Sequence, residues 1–164
     1  TTFSDFGNTF KVERKGYEHG QDFALIFPNG FVYRIEIKSF AAGKERVHMS
    51  IKQGDTAAEY SHAYALCVLE RPVALSLANT DYFKSNAIFV SDIGVRLKPK
   101  VSAALEIKTL IDKQQSDEES IAFDSTAYKF RVGKKVWNSK SGLTFNEFIE
   151  ELRTKISKAS NPTV

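Results

Sequence analysis

The sequence predicts an α/β domain: a mixed central sheet flanked by helices, with a C-terminal helical extension. Three observations predict it. FVYRIEIKSF (31–40) alternates almost strictly between outward and inward positions, as a strand does. YALCVLE (64–70) is a continuous apolar run of strand length. From residue 99 the apolar period changes to that of a helix, and it does so again from residue 143.

Each element follows in order. FKVERKGY (10–17) alternates loosely and predicts a strand. DFALIF (22–27) predicts a stronger one, closed by Pro28-Asn29-Gly30, where proline presets φ and Asn-Gly accepts positive φ. In the next run Phe31, Tyr33, Ile35, Ile37 and Ser39 face one way, and Val32, Arg34, Glu36, Lys38 and Phe40 the other. Two such runs joined through Asn-Gly predict a β-hairpin. AAGKER reads as a loop and VHMSI as a short strand. KQGDTAAEYSHAYA (52–65) predicts a helix N-capped by Asp55 or Thr56. YALCVLE then predicts a buried strand, and NAIFV (86–90) another.

In 99–114, Val101, Ala104, Leu105, Lys108 and Ile111 make one helical stripe, widened by Ile107 and Leu110. The acidic stretch around 114–124 reads as a polar linker, dividing a core of 1–113 from an extension of 125–164 packed on it. STAYKFRVGKKVW (125–137) predicts an edge strand or hairpin. LTFNEFIEELRTKISK (143–158) predicts an amphipathic helix with a Thr144–Glu147 capping box and an apolar face of Phe145, Phe148, Ile149, Leu152 and Ile156. The final ASNPTV reads as frayed.

Composition sets the outer bounds. A 42% hydrophobic share with 13 Phe and 6 Tyr supplies a sizeable core for one domain. The net charge of +3, from 23 basic and 20 acidic residues, permits a polyanionic partner without requiring one. Cys67, the single cysteine, forms no internal disulfide and reads as a buried structural thiol, which suits a reducing, cytoplasmic setting. No apolar run approaches the ~20 residues of a membrane span, and TTFSDFGNTFK lacks a signal-peptide pattern. The chain begins without Met and reads as a domain of something longer.

The residues that can carry chemistry are Asp22, Glu36 and Lys38. Glu36 and Lys38, two apart, emerge on one face of their strand, and the hairpin can bring Asp22 beside them. Hydrolysing a phosphodiester near neutral pH needs charge compensation at the phosphate and an activated water. Carboxylates holding Mg²⁺ answer that need, with a lysine to stabilise developing charge. Taken alone, Glu-x-Lys is also the ordinary pattern of a solvated strand face. Lys52-Gln53 opens the following helix, and Gln53 can face the same cleft.

GQDFALIF, YRIEIKSF and VHMSIKQGDTAAEYSHAYALCVLE together resemble the C-terminal domain family named after the plant protein NO VEIN, over roughly residues 17–111. That family is similar to a branch of the PD-(D/E)xK nucleases. The resemblance implies a restriction-endonuclease-like core and a Mg²⁺- or Mn²⁺-dependent nuclease acting on DNA, as a module of a restriction or phage-defence protein. It implies other domains of a longer chain, or an ATPase-like subunit, as partners. By position it implies Asp22 and Glu36 as metal ligands with the carbonyl of Ile37, Lys38 as the catalytic lysine, and Gln53 orienting substrate or water. The alternative is a non-catalytic module that keeps the fold and binds DNA or protein.

Other residues have plainer readings. His19, His48 and His62 lack metal-ligand spacing, although His19 and His48 flank the proposed cleft. Glu13 and Glu18 can supply a further carboxylate or ordinary salt bridges, and Asp55 can reach the cleft or cap its helix. Lys129, Arg131, Lys134 and Lys135 can track a phosphate backbone, with Tyr128 and Trp137 stacking on bases. The plainer reading of that stretch is an edge strand whose lysines deter pairing; LKPK (97–100) is ambiguous in the same way. No P-loop, dinucleotide fingerprint or Gly-x-Ser-x-Gly elbow is present.

Overall fold

A computed structural model describes residues 2–5, 8–114 and 128–160 of the chain. Its strands are β1 (Thr2–Asp5), β2 (Asn8–Arg14), β3 (Phe23–Ile26), β4 (Val32–Phe40), β5 (Arg46–Ser50), β6 (Tyr64–Glu70), β7 (Ala87–Val90) and β8 (Lys129–Gly133). Its helices are α1 (Ile51–Glu59), α2 (Thr80–Asn86), α3 (Ile93–Gln114), α4 (Lys134–Trp137) and α5 (Phe145–Ser160). Six strands form a mixed sheet in the order β1-β2-β3-β4-β6-β7. β4 and β6 run parallel while every other neighbouring pair is antiparallel. The α/β class with helices on a mixed sheet is therefore observed.

The β3–β4 hairpin turns where Asn-Gly predicted it. Gly30 has φ of 82°, a conformation glycine adopts without a Cβ clash. The Asn29 side chain accepts from the Phe31 N–H at 3.0 Å. On β4 the alternation becomes two environments. Tyr33, Ile35 and Ile37 face α5, in a core with Phe10, Phe27, Cys67 and Phe89. The Phe89 and Phe148 rings stack there, 4.1 Å apart. Arg34, Glu36 and Lys38 face the side carrying α1 and α3, whose core holds Met49, Ala57, Ile93, Leu97 and Trp137. β6 feeds both cores, with Ala65 and Cys67 on one side and Tyr64, Leu66 and Val68 on the other. That two-sided burial explains its unbroken apolar run.

α5 is capped as its sequence predicts. The Thr144 N–H and hydroxyl donate to Glu147, whose N–H donates back to Thr144 Oγ1. Phe148, Leu152 and Ile156 are buried in the core of the main sheet. The segment 125–164 thus contributes β8 and α5 to the same layers as the rest of the chain.

Several elements differ from the sequence expectation. β1 and α2 were not predicted. α1 begins at Ile51, capped by Ser50, so Asp55 and Thr56 lie inside it. It ends at Glu59, and a 3₁₀ turn at Ser61–Ala63 leads into β6. α3 begins at Ile93, with Pro99 inside it on the exposed side. Its expected apolar stripe is buried only in part: Val101, Ala104 and Ile111 are half-buried, whereas Leu105, Ile107 and Leu110 are 58–61% exposed, because the helix reaches the core through Ile93 and Leu97. β5 leaves the main sheet and pairs antiparallel with β8. Apart from Gln114, the 114–124 linker lies outside the described residues, as do 161–164 of the expected frayed end. Among the described residues no helix is long and apolar enough to cross a membrane.

Candidate functional site

Glu36 is the centre of the site. It lies on β4 beside Leu66 of β6, beneath α1, and is 1% exposed. The solvated-face reading of Glu-x-Lys therefore fails for Glu36: the docking of α1 covers that face. One carboxylate oxygen, Oε1, accepts from Lys38 Nζ at 2.7 Å and from Gln53 Nε2 at 2.5 Å. The other, Oε2, is buried with no protein partner. Burial pushes the carboxyl above its usual range, against the Lys38 ammonium, while the charge of Asp22 adds to the rise.

Gln53 reaches Glu36 because of how α1 starts. Ser50 Oγ accepts from the Gln53 N–H at 3.2 Å, and Gln53 Oε1 accepts from the Ser50 N–H at 2.8 Å. That reciprocal pair holds the amide oxygen at the helix start and turns the amide nitrogen toward Glu36. Ser50 was not singled out from the sequence, although Ser-x-x-Gln before a helical run is a legible capping signal.

Asp22 precedes β3 and is partly buried. Its N–H donates to Ile35 O at 3.1 Å, and its Oδ2 accepts from the Ile37 N–H at 2.8 Å. The strand joining Glu36 to Lys38 thus also holds Asp22, through the backbone of Ile37. The side chain of Ile37 packs in the core on the other face. Asp22 and Glu36 both act on the Tyr64 phenol, which burial raises first and these charges raise further; its hydroxyl donates to Gly20 O at 2.8 Å. Asp22, Glu36, Lys38 and Gln53 are therefore one constellation.

The additional acids lie elsewhere. Glu13 pairs with Lys11 and Lys15, which hold its carboxyl at about 2. Glu18 pairs with His19 at 3.4 Å. Asp55 is raised by burial and lies near Lys52 and Lys108, so it neither caps α1 nor meets Glu36. His62 is exposed. Among the described residues no three or more His, Cys, Asp or Glu gather as a metal-binding group. A divalent ion here would have the two carboxylates of Asp22 and Glu36, and the orphaned Oε2 of Glu36 is the observation that fits it.

Lys129 and Arg131 project from the exposed face of β8, and Lys134 and Lys135 lie on α4. Arg131, Lys134 and Lys135 line an open groove together with Lys44 and Arg46, which sequence reasoning missed. Only the β5–β8 pairing brings them together. Trp137 is not available to stack on bases. It is 2% exposed, packs on Phe40, and donates its indole N–H to Val132 O at 3.3 Å. Tyr128 is partly exposed, edge-on to Phe130.

No protein-family model, no curated protein and no solved structure matches this chain.

Proposed function

We propose that the chain is a metal-dependent nuclease-like domain that hydrolyses DNA phosphodiesters at the Asp22–Glu36–Lys38 site. One observation carries the reading: a fully buried carboxylate has one oxygen held by an ammonium and an amide while the other has no protein partner. Leaving a buried carboxylate oxygen unsatisfied is costly unless a cation or donor meets it. The resemblance to the NO VEIN C-terminal domains and the PD-(D/E)xK nucleases points the same way, as does a pair of parallel strands crossed over by α1. A restriction-endonuclease-like core, and membership of a restriction or phage-defence protein with an ATPase-like partner, belong to this reading.

The chain's own residues divide the work. Asp22 and Glu36 would hold Mg²⁺ or Mn²⁺, with the Ile37 carbonyl as a further ligand. When bound, the ion supplies charge compensation for the phosphate and a more acidic water. Lys38, with its side chain 23% exposed, opposes the rise that burial imposes on Glu36 and offers positive charge to the phosphate. Gln53 fixes the Glu36 rotamer, so that Oε1 is committed and Oε2 is presented.

A second reading is a non-catalytic DNA- or protein-binding module in which Lys38, Glu36 and Gln53 form a structural polar cluster. The absence of a third acid among the described residues favours it. Plasmid cleavage with Mg²⁺ or Mn²⁺ decides between them. The hydrolase reading expects cleavage by the wild type and its loss in Glu36→Ala and Lys38→Ala. No metal-dependent cleavage, or cleavage unchanged in both variants, sinks it.

A further inference from the structure

The β5–β8 ribbon carries a charge pattern that the site itself does not use. Val47 and Met49 of β5 and Phe130 and Val132 of β8 pack inward on the α1–α3 side. Alternation therefore turns Arg46 and His48, and Lys129 and Arg131, to solvent. The register puts His48 opposite Arg131 and Ser50 opposite Lys129, so the two rows stand side by side. At the ribbon's end Lys44, Arg46, Arg131, Lys134 and Lys135 surround an open groove of about 840 Å³, with Glu45 the single acid lining it among the described residues. Lys134 N–H donates to Glu45 O at 2.8 Å and ties the two sides together. Among the described residues none of these five cations has a carboxylate partner.

We infer that this ribbon and groove grip the phosphate backbone of duplex DNA and deliver it to the Glu36 site, an inference that rests on the proposed function. Unpaired cations packed together repel one another, and a bound polyanion relieves that cost. Alternate residues on a strand stand about 7 Å apart, and each DNA strand presents a phosphate for every ~3.4 Å of helix axis, so a row of such cations meets a dense line of negative charge. Single-stranded binding calls for aromatic platforms, and among the described residues none lines the groove. A protein partner would want apolar anchors, whereas among the described residues Val136 is the one large apolar side chain in the lining.

The ribbon is also mechanically joined to the site. β5 ends at Ser50, the cap of α1, three residues before Gln53. Phe130 of β8 packs directly on Gly54 of α1: a Cβ there would meet Phe130 Cε2 at 2.1 Å. Backbone held on the ribbon is thus held relative to the helix that fixes Glu36.

The test is fluorescence anisotropy of a labelled DNA duplex with the full chain in EDTA, titrated against salt. The wild type should bind with steep salt dependence. Lys44→Gln and Arg46→Gln should each weaken binding roughly tenfold near 0.1 M salt and lower the salt slope by about one. Lys158→Gln, a charge change on the exposed side of α5, should not. Unfolding transitions matching the wild type show that the variants fold. Unchanged binding in both ribbon variants overturns the inference, as does a wild type that binds polyglutamate and not DNA. Chelation separates this result from catalysis. Ribbon-dependent binding without Mn²⁺-dependent cleavage keeps the ribbon and sinks the hydrolase reading. Cleavage with unaltered binding in the ribbon variants does the reverse.

Discussion

Gln53 donates its amide nitrogen to Oε1 of Glu36 while its amide oxygen accepts from the Ser50 N–H. One side chain therefore caps the start of a helix and orients a buried carboxylate. Gln53→Ala should remove both bonds and leave Glu36 short of a donor, costing about 2 kcal/mol. Ser50→Ala keeps the Ser50 N–H and loses only the hydroxyl cap, costing about 1 kcal/mol. Urea denaturation of the two variants checks the order; equal losses would mean that the Glu36 contact contributes nothing.

Lys38→Met leaves Glu36 buried without its cation. A loss of roughly 3 kcal/mol is expected at neutral pH, read from the same denaturation experiment. A loss under about 1 kcal/mol would show that solvent, and not Lys38, compensates the carboxylate.

Glu36 makes stability depend on pH with a definite sign. Its folded value lies above the ordinary 4.5, so the native state holds the proton more tightly than the unfolded chain. Below the ordinary value the group takes nothing from stability. Stability then falls as pH rises through the window up to the folded value. Glu36→Gln should abolish that decline, so the variant's Tm should gain on the wild type as pH rises from 4.5 toward neutral. Parallel Tm profiles would contradict the raised carboxyl.

Mg²⁺ or Mn²⁺ should raise the Tm of the wild type, more so at higher pH, because the ion competes with the Glu36 proton. At a hundred times Kd the stabilisation is about 2.7 kcal/mol. Asp22→Asn and Glu36→Gln should lose it. An equal Tm rise in both variants places the ion somewhere else.

The Cys67 thiol is fully buried and pushed up to about 12 by burial. Thiol reagents should leave it unmodified in the native protein and react once it unfolds. Rapid native labelling would mean that the α5 side of the sheet opens. Phe148→Ala should cost about 3–5 kcal/mol by vacating the stack on Phe89, measured by chemical denaturation.

Local signals made much of the fold legible. The alternation in β4, Asn29-Gly30 in the hairpin, the apolar run of β6 and the Thr144–Glu147 box each depend on residues a few positions apart. Asp22, Glu36 and Lys38 were legible as candidates because strand periodicity is local too, and Gln53 as a residue near a helix start, although the Ser50 cap that aims it was missed. The exposure of Leu105, Ile107 and Leu110 was not, since a helix's apolar stripe does not say which turns dock.

By itself the sequence determined which residues share a strand face, where the chain turns, and that Glu36 and Lys38 project together. Tertiary structure alone decided that α1 covers that face and buries Glu36, and that β5 pairs with β8 to set Lys44 and Arg46 beside Arg131, Lys134 and Lys135. The physical reason is range. Periodicity is imposed by backbone geometry over a few residues, whereas burial and cross-strand register are set by which distant segment docks, and no short stretch of sequence encodes its partner.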